Sequence, residues 1–455
     1  MTDNVQQQPW VELKQLLAAG SAQAVEAFLA SLPADEVARG MLRMSEEERA
    51  KVLRTLTPKA AARVLEQLPE SEAADLLEGI DAADAADIVE ELPSDERADI
   101  LRDVQRPEAE EILAQMPPEE ARETRAMARY PDDVAGGLMI TEYLSYPRTP
   151  MVGEVVHDLR VNADKYRGYD VQYIYVTGDH HSLVGVVNLR DLILGDEKRT
   201  IGQLMIGDPA KVADTTTLDD LRGVFDQHHY LAVPVVDAAN RMLGVVRAGD
   251  VEEALSDRGA SDFRQSQGII GGDELRTMPV WVRVRNRLSW LSVNVLLNII
   301  AASVIALYQD TLAAVIALAV FLPIISDMSG CAGNQAVAVS IRELALGLVR
   351  PNELARVWIN EILVGAINGI VLGLLIACVA WFWKANVALG FVVGASLAAN
   401  TLIAVSIGGL VPLILKRLRM DPALASGPIL TTITDMCGFF LVLRLATEML
   451  PRLAA

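Results

Sequence analysis

The chain has 455 residues, with 60 Asp and Glu against 40 Lys and Arg, and 51% of its residues are hydrophobic. Residues 1–280 hold 28 basic and 52 acidic side chains, whereas residues 281–455 hold only 12 and 8. The apolar content excludes a disordered chain, and the acidity argues against a nucleic-acid partner. Three cysteines without paired spacing (Cys331, Cys378, Cys437) exclude a disulfide scaffold or a cysteine-based zinc site. The start, MTDNVQQQPW, lacks the basic residues and apolar run of a signal peptide. The expectation is an acidic cytoplasmic module followed by a membrane domain.

A 12-residue period runs from residue 29. Its first register reads Leu29, Met41, Leu53, Leu65, Leu77, Val89, Leu101 and Leu113. Three residues on it reads Leu32, Met44, Leu56, Leu68, Ile80, Leu92, Val104 and Met116. Next come Pro33, Ser45, Thr57, Pro69, Asp81, Pro93, Gln105 and Pro117, mostly residues that start helices. Ala38, Ala50, Ala62, Ala74, Ala86 and Ala98 mark a close contact one turn later. Each unit is then a helix of about two turns that buries its i, i+3 face only on neighbours, which predicts a short superhelical solenoid. Between Arg63 and Arg97 there are twelve acidic residues and no basic one. The ordinary reading of such a run is a solvated face. The alternative is a surface that repels acidic neighbours until divalent cations intervene, since oxygen ligands suit hard cations.

The next segment is a duplication. LMI at 138–140 recurs at 204–206, and VQYIYVTGDHHSLVGVVNLRDLI is echoed by LAVPVVDAANRMLGVVRAGDVEE. In both, a strand and turn lead to a second strand with Gly-Val-Val, then to Asp191 or Asp250 opening a helix. This resembles a tandem pair of CBS domains, which implies a cleft suited to an adenine nucleotide. In that family's signature a hydroxyl meets phosphate and an Asp meets ribose. Here the Asp positions match, but Asn188 and Arg247 replace the hydroxyls. His180, His181, His228 and His229 are read as turn and helix-end residues rather than metal ligands. Asp250, Glu253 and Asp257 then fall at i, i+3 and i+7 as a carboxylate stripe, and Asp262 precedes a linker containing Gly271 and Gly272.

Crossing a hydrocarbon core takes about 20 mostly apolar residues as a helix. Five stretches qualify: 288–307, 311–341, 357–383, 387–415 and 423–450. Basic residues gather before the first (Arg283, Arg285, Arg287), after the second (Arg342, Arg350, Arg356) and after the fourth (Lys416, Arg417, Arg419). Positive-inside bias then predicts a cytoplasmic N-terminus and an external C-terminus. An odd number of spans places any central pathway between two subunits. The second stretch contains Pro323, Gly330 and Gly333 with Asp327, Asn334 and Gln335, and is expected to be a broken helix facing protein or a watery cavity. Asp435 lies 14 residues past Asp421, about 21 Å along a helix. A carboxylate at that depth costs about 3 kcal/mol unless paired or hydrated, and Arg444 is too far along the same helix to pair with it. Asp435 is therefore read as part of an ion pathway, with Thr432 and Thr434 as polar support.

In this order the solenoid, CBS pair, acidic linker and five spans resemble the MgtE-type magnesium channels. The matching segments are ARYPDDVAGGLM at 128–139, FLP and GNQ within 321–335, and DPALASGP and TD within 421–435. The resemblance implies a multidomain membrane protein: an α-helical superhelical N-domain (1–130) sensing magnesium, an α/β tandem CBS pair (131–257), a connecting and gating helix with linker (258–284), and an all-α five-span pore (285–455). It implies a homodimer in the lipid bilayer of a cell's inner membrane, transporting divalent cations with no enzymatic activity. Asp435 would hold hydrated Mg2+ at the dimer axis. Magnesium at Asp95, Asp99, Asp250, Glu253, Asp262 and Asp421 would close the pore. Asp191, with Arg190 and Tyr230 nearby, would contact ATP.

The chain departs from the family pattern at several positions. Ser329-Gly330-Cys331-Ala332-Gly333-Asn334-Gln335 replaces a segment richer in Gly and Asn, and Asp327 stands at an expected uncharged position. Gln227 and Ser261 stand where carboxylates are expected, which implies a sensor that binds less magnesium or responds at higher concentration. Two readings from other classes stay open: a membrane aspartyl protease using Asp327 and Asp435, and a non-conducting magnesium receptor.

Overall fold

The 12-residue period becomes a run of short helices in the computed structural model, which describes residues 9–166, 169, 172–266, 268–269, 274–276, 278–418, 420 and 422–453, without the side chains at 423–425. The helices are α1 (Pro9–Ala19), α2 (Ala22–Ser31), α3 (Ala34–Leu42), α4 (Glu46–Thr55), α5 (Pro58–Leu65), α6 (Glu70–Glu78), α7 (Ala82–Glu90), α8 (Ser94–Asp103), α9 (Arg106–Gln115) and α10 (Pro118–Met127). All eight residues of the third register, from Pro33 to Pro117, are the N-caps of α3 to α10. Ser45 closes a full capping box: its hydroxyl accepts the Glu48 N–H, and the Glu48 carboxylate accepts the Ser45 N–H at 2.9 Å. The first register is buried throughout, the second everywhere except half-buried Leu32 and Ile80, and the alanines are buried from Ala50 to Ala98. From α5 to α10 each helix packs chiefly on the next but one, α5 on α7, α6 on α8, α7 on α9 and α8 on α10, so these helices form two rows that share one apolar seam.

The duplicated segment follows in the same unit, Met1–Asp257. It comprises α11 (Ala135–Leu138), β1 (Leu144–Pro147), α12 (Val152–Val161), β2 (Tyr173–Thr177), β3 (Leu183–Asn188), α13 (Leu189–Leu194), α14 (Ile201–Leu204), β4 (Ile206–Gly207), β5 (Val212–Ala213), α15 (Leu218–His228), β6 (Ala232–Val236) and β7 (Met242–Arg247). In one sheet β1 runs parallel to β2, which is antiparallel to β3, and β3 to β4. In the other β5 is parallel to β6, which is antiparallel to β7. The copies share a core in which Ile140, Tyr175 and Leu183 meet Val236, Met242 and Val245. Ala98 of α8 and Met127 of α10 pack with Leu221, Val235 and Val251, so the solenoid sits on the second copy. That docking brings the first turn of α8 beside the start of α16 (Ala248–Ser266), which carries Asp250, Glu253, Asp257 and Asp262.

The second unit, Arg258–Ala455, contains α17 (Val280–Leu307), α18 (Gln309–Ala314), α19 (Leu318–Ala345), α20 (Leu354–Lys384), α21 (Val387–Arg417) and α22 (Pro422–Glu448). Among the described residues four helices (α17, α20, α21 and α22 from Ser426) are long and apolar enough to cross a membrane; α19 has 28 residues but is diluted by its polar side chains. The expected break in this helix is absent, because α19 runs unbroken through Pro323, Gly330 and Gly333. The glycine does another job. A Cβ on Gly408 of α21 would lie 2.3 Å from the Gly333 carbonyl oxygen, so the bare backbones let α19 and α21 touch.

Candidate functional site

The period places Pro93 as an N-cap and so puts Ser94, Asp95 and Glu96 in the first turn of α8. Ser94 donates its N–H (3.1 Å) and hydroxyl (2.7 Å) to Glu142, pinning this turn to the CBS pair. The Arg247 guanidinium lies between Asp250, 2.8 Å from Nε, and Asp95, 3.5 Å from Nη2. Burial pushes Asp95 up to about 6, with Asp250 and Glu142 adding to the rise and Arg247 opposing it. Burial also pushes Glu96 up to about 8, reinforced by Glu66, Asp95 and Glu253. Asp99, 3.0 Å from Arg102, is raised to about 7 by burial, with Glu70 and Asp95 contributing.

Four of the expected magnesium ligands, Asp95, Asp99, Asp250 and Glu253, are thus neighbours of one acidic face. Asp262 is half-buried on α16 in the second unit, and Asp421 lies outside the described residues. Sequence reasoning did not single out Glu96, although the cap register placed it, nor Glu142, whose contact with Ser94 has no local signal. Carboxylate oxygens under mutual repulsion suit a hard divalent cation. Among the described residues no three Asp, Glu, His or Cys side chains converge closely enough to hold one.

A cavity of about 650 Å³ opens on the first CBS copy, lined by Gln172, Tyr173, Asn188, Arg190 and Asp191 among others, with Leu231 from the second copy at its edge. That volume is within the range of small-molecule sites. Arg190 and Asp191 line it, whereas Tyr230 does not; its ring stacks on His228 at 5.2 Å, and Tyr173 is the aromatic wall. Asn188 donates to Asp191 at 3.0 Å, so the residue replacing the usual hydroxyl orients the carboxylate beside it. His180 and His181 have positive φ in the turn after β2, and His229 is the left-handed cap of α15, consistent with turn and helix-end roles.

In the membrane unit Asp435 is 8% exposed, and the hydroxyl of Ser326 on α19 donates to its Oδ1. The expected support from Thr432 and Thr434 is not present. Their hydroxyls donate to the carbonyls of Pro428 (2.7 Å) and Thr431 (3.0 Å) on their own helix, as threonines in apolar helices commonly do. Arg444 pairs with Glu448 at 2.9 Å, leaving Asp435 without that cation. Asp327 is exposed, on a stripe of α19 with Pro323, Cys331, Asn334 and Gln335. Asn400 of α21, which the apolar run around it gave no reason to select, is fully buried against both α19 and α22.

The profile of the MgtE divalent cation transporter family matches residues 322–445, the profile of the MgtE intracellular N domain matches 32–133, and a CBS domain profile matches 201–257. The magnesium transporter MgtE of Enterococcus faecalis is 32% identical over 327 residues, 71% of each chain. The chain belongs to the MgtE family. Magnesium transporter MgtE of Bacillus subtilis is also 32% identical, over 72% of each chain. The crystal structure of the soluble part of a magnesium transporter aligns with 55% of this chain and 98% of its own, at 26% identity and a TM-score of 0.50. MgtE relatives are transporters, and the apolar helices make this member a multi-pass membrane protein.

Proposed function

We propose that this chain carries magnesium ions across a membrane past Asp435, under control of cations bound to its acidic N-domain and CBS pair. The observation that carries the reading is a buried carboxylate midway along an apolar helix, held by one neutral hydroxyl and paired with neither Lys nor Arg among the described residues. Magnesium sheds water reluctantly, so a conducting site suits hydrated ions and one or two carboxylates. The magnesium-transporter relatives support the choice of ion. One chain supplies one Asp435, and the exposed polar stripe of α19 favours a second copy facing it across an axis. The basic residues flanking the spans favour a cytoplasmic N-terminus and an external C-terminus.

In this reading residues 1–130 sense magnesium, 131–257 form the CBS pair, 258–284 transmit and 285–455 conduct. Asp95, Asp99, Asp250 and Glu253, helped by Glu96, would hold the regulatory ion, with Asp262 and Asp421 as further ligands. The ion would supply charge that offsets their repulsion. Carboxylates about 4 Å apart repel by roughly 4 kcal/mol at an effective dielectric of 20, enough to bias a two-state gate. Arg190 and Asp191 would contact ATP in the cavity on the first CBS copy. A protease dyad is disfavoured, because Asp327 is exposed while Asp435 is buried against Ser326.

The test is magnesium, manganese and cobalt flux into liposomes holding the full chain or Asp435→Asn. Loss of divalent flux with dimers intact supports the reading, and flux retained by a well-folded variant removes it.

A further inference from the structure

We propose that Asn400 is the positioning residue that fixes the Asp435 carboxylate against α19. The inference rests on the reading of Asp435 as the conducting group and adds a residue from a third helix to it. Asn400 is 0% exposed, near the middle of the mostly apolar α21. Its Nδ2 donates to the Ser329 hydroxyl on α19 and, at 3.0 Å, to the Thr434 carbonyl on α22. Because a carbonyl only accepts, this contact sets which end of the amide points at α22.

Both contacts adjoin the Ser326–Asp435 hydrogen bond. Ser329 is one turn beyond Ser326 on the same helix, and Thr434 is the residue before Asp435. Asn400 therefore grips the hydroxyl-bearing helix and the carboxylate-bearing helix at the level of their contact. An amide can bridge the two because it offers two N–H donors. The surroundings are shaped to admit it: a Cβ on Gly438 would lie 2.7 Å from Asn400 Nδ2. The placement does not serve the amide itself, since Asn400 Oδ1 is buried without a hydrogen-bond partner among the described residues. Burying one unsatisfied acceptor is the cost of making two directed donations.

The experiment uses full-length protein in liposomes and reads half-saturating magnesium and magnesium-over-manganese preference separately from maximal flux per assembled protein. Asn400→Leu keeps the γ-branched shape and removes both donations. Half-saturating magnesium should rise about fivefold, the equivalent of one hydrogen bond of ~1 kcal/mol, and ion preference should flatten. Gly438→Ala displaces the amide without altering it and should shift the same two quantities, including where Asn400→Leu fails to assemble. Adding Gly438→Ala to Asn400→Ala should then cost nothing further, because the clash is gone. An assembled Asn400→Leu with unchanged half-saturation and preference overturns the proposal, and so does a fall in maximal flux alone, which marks a structural role. Asp435→Asn run alongside separates the two ideas: its retained flux would sink the pore reading, whereas its lost flux beside an indifferent Asn400→Leu sinks only this one.

Discussion

Around α8, Asp95, Glu96 and Asp99 feel the charge of Glu66, Glu70, Asp250 and Glu253, with Arg247 and Arg102 as their partial compensation. In the membrane unit Asp435 has one hydroxyl beside it, and its surroundings, Asn400 included, are neutral. A crowd of carboxylates stores repulsion that a cation can release, so its response is graded and shared among residues. A single carboxylate in neutral surroundings has no substitute. The first arrangement suits regulation and the second suits passage.

That contrast is most directly broken by removing one charge from each region. Asp435→Asn should lower divalent flux at least about 100-fold, on the scale of the ~3 kcal/mol attached to a charge at membrane depth. Asp95→Asn should leave maximal flux within about tenfold and instead change how internal magnesium limits it. Equal losses from the two variants would erase the distinction. The next effect is in packing. Gly408→Ala drives a Cβ into the Gly333 carbonyl oxygen, backbone that cannot swing aside, and should destabilise the membrane unit by about 1–3 kcal/mol, read as a lower melting temperature in detergent.

A pH experiment sharpens the other side. Asp95, Glu96 and Asp99 are raised to about 6, 8 and 7, so the folded unit favours their protonated forms. Their stabilising contribution is complete below the ordinary carboxylate range and is lost as pH rises through about 6 to 8. Melts of the soluble unit in chelator should therefore fall across that window. Glu96→Gln should flatten the fall, and millimolar magnesium should oppose it. A melting temperature that rises with pH in chelator would contradict the cost of burying these carboxylates together. The smallest effect is local: Ser45→Ala removes the α4 capping box and should cost about 1 kcal/mol, with flux unchanged.

The solenoid was legible because its instructions are local. A residue such as Pro69 or Asp81 caps a helix by its own chemistry, and Leu65 or Leu77 buries a face set by spacing alone. The same register put Asp95 and Glu96 at a helix start. Asp435 was legible for a related reason, as a charge in an apolar run. Less was legible wherever two distant segments decide the matter. Nothing near Glu142 announces Ser94, and nothing near Asn400 announces Thr434. Thr432 and Thr434 looked like partners for Asp435 because they are adjacent, yet helix geometry turns their hydroxyls back to carbonyls three and four residues earlier. Gly330 and Gly333 suggested a broken α19, but sequence does not separate a glycine that breaks a helix from one that admits a neighbour.

The pairing of each helix from α5 to α10 with the next but one makes this part of the N-domain count in twos. Adding or deleting one 12-residue unit between α5 and α8 would transfer the helices before it from one row to the other, matching each face to a surface built for its alternate. Adding or deleting two units, about 24 residues, returns each helix to its own row and leaves the α8 junction with the CBS pair untouched. The parity of the repeat number, more than its size, is thus the quantity that length variation must preserve.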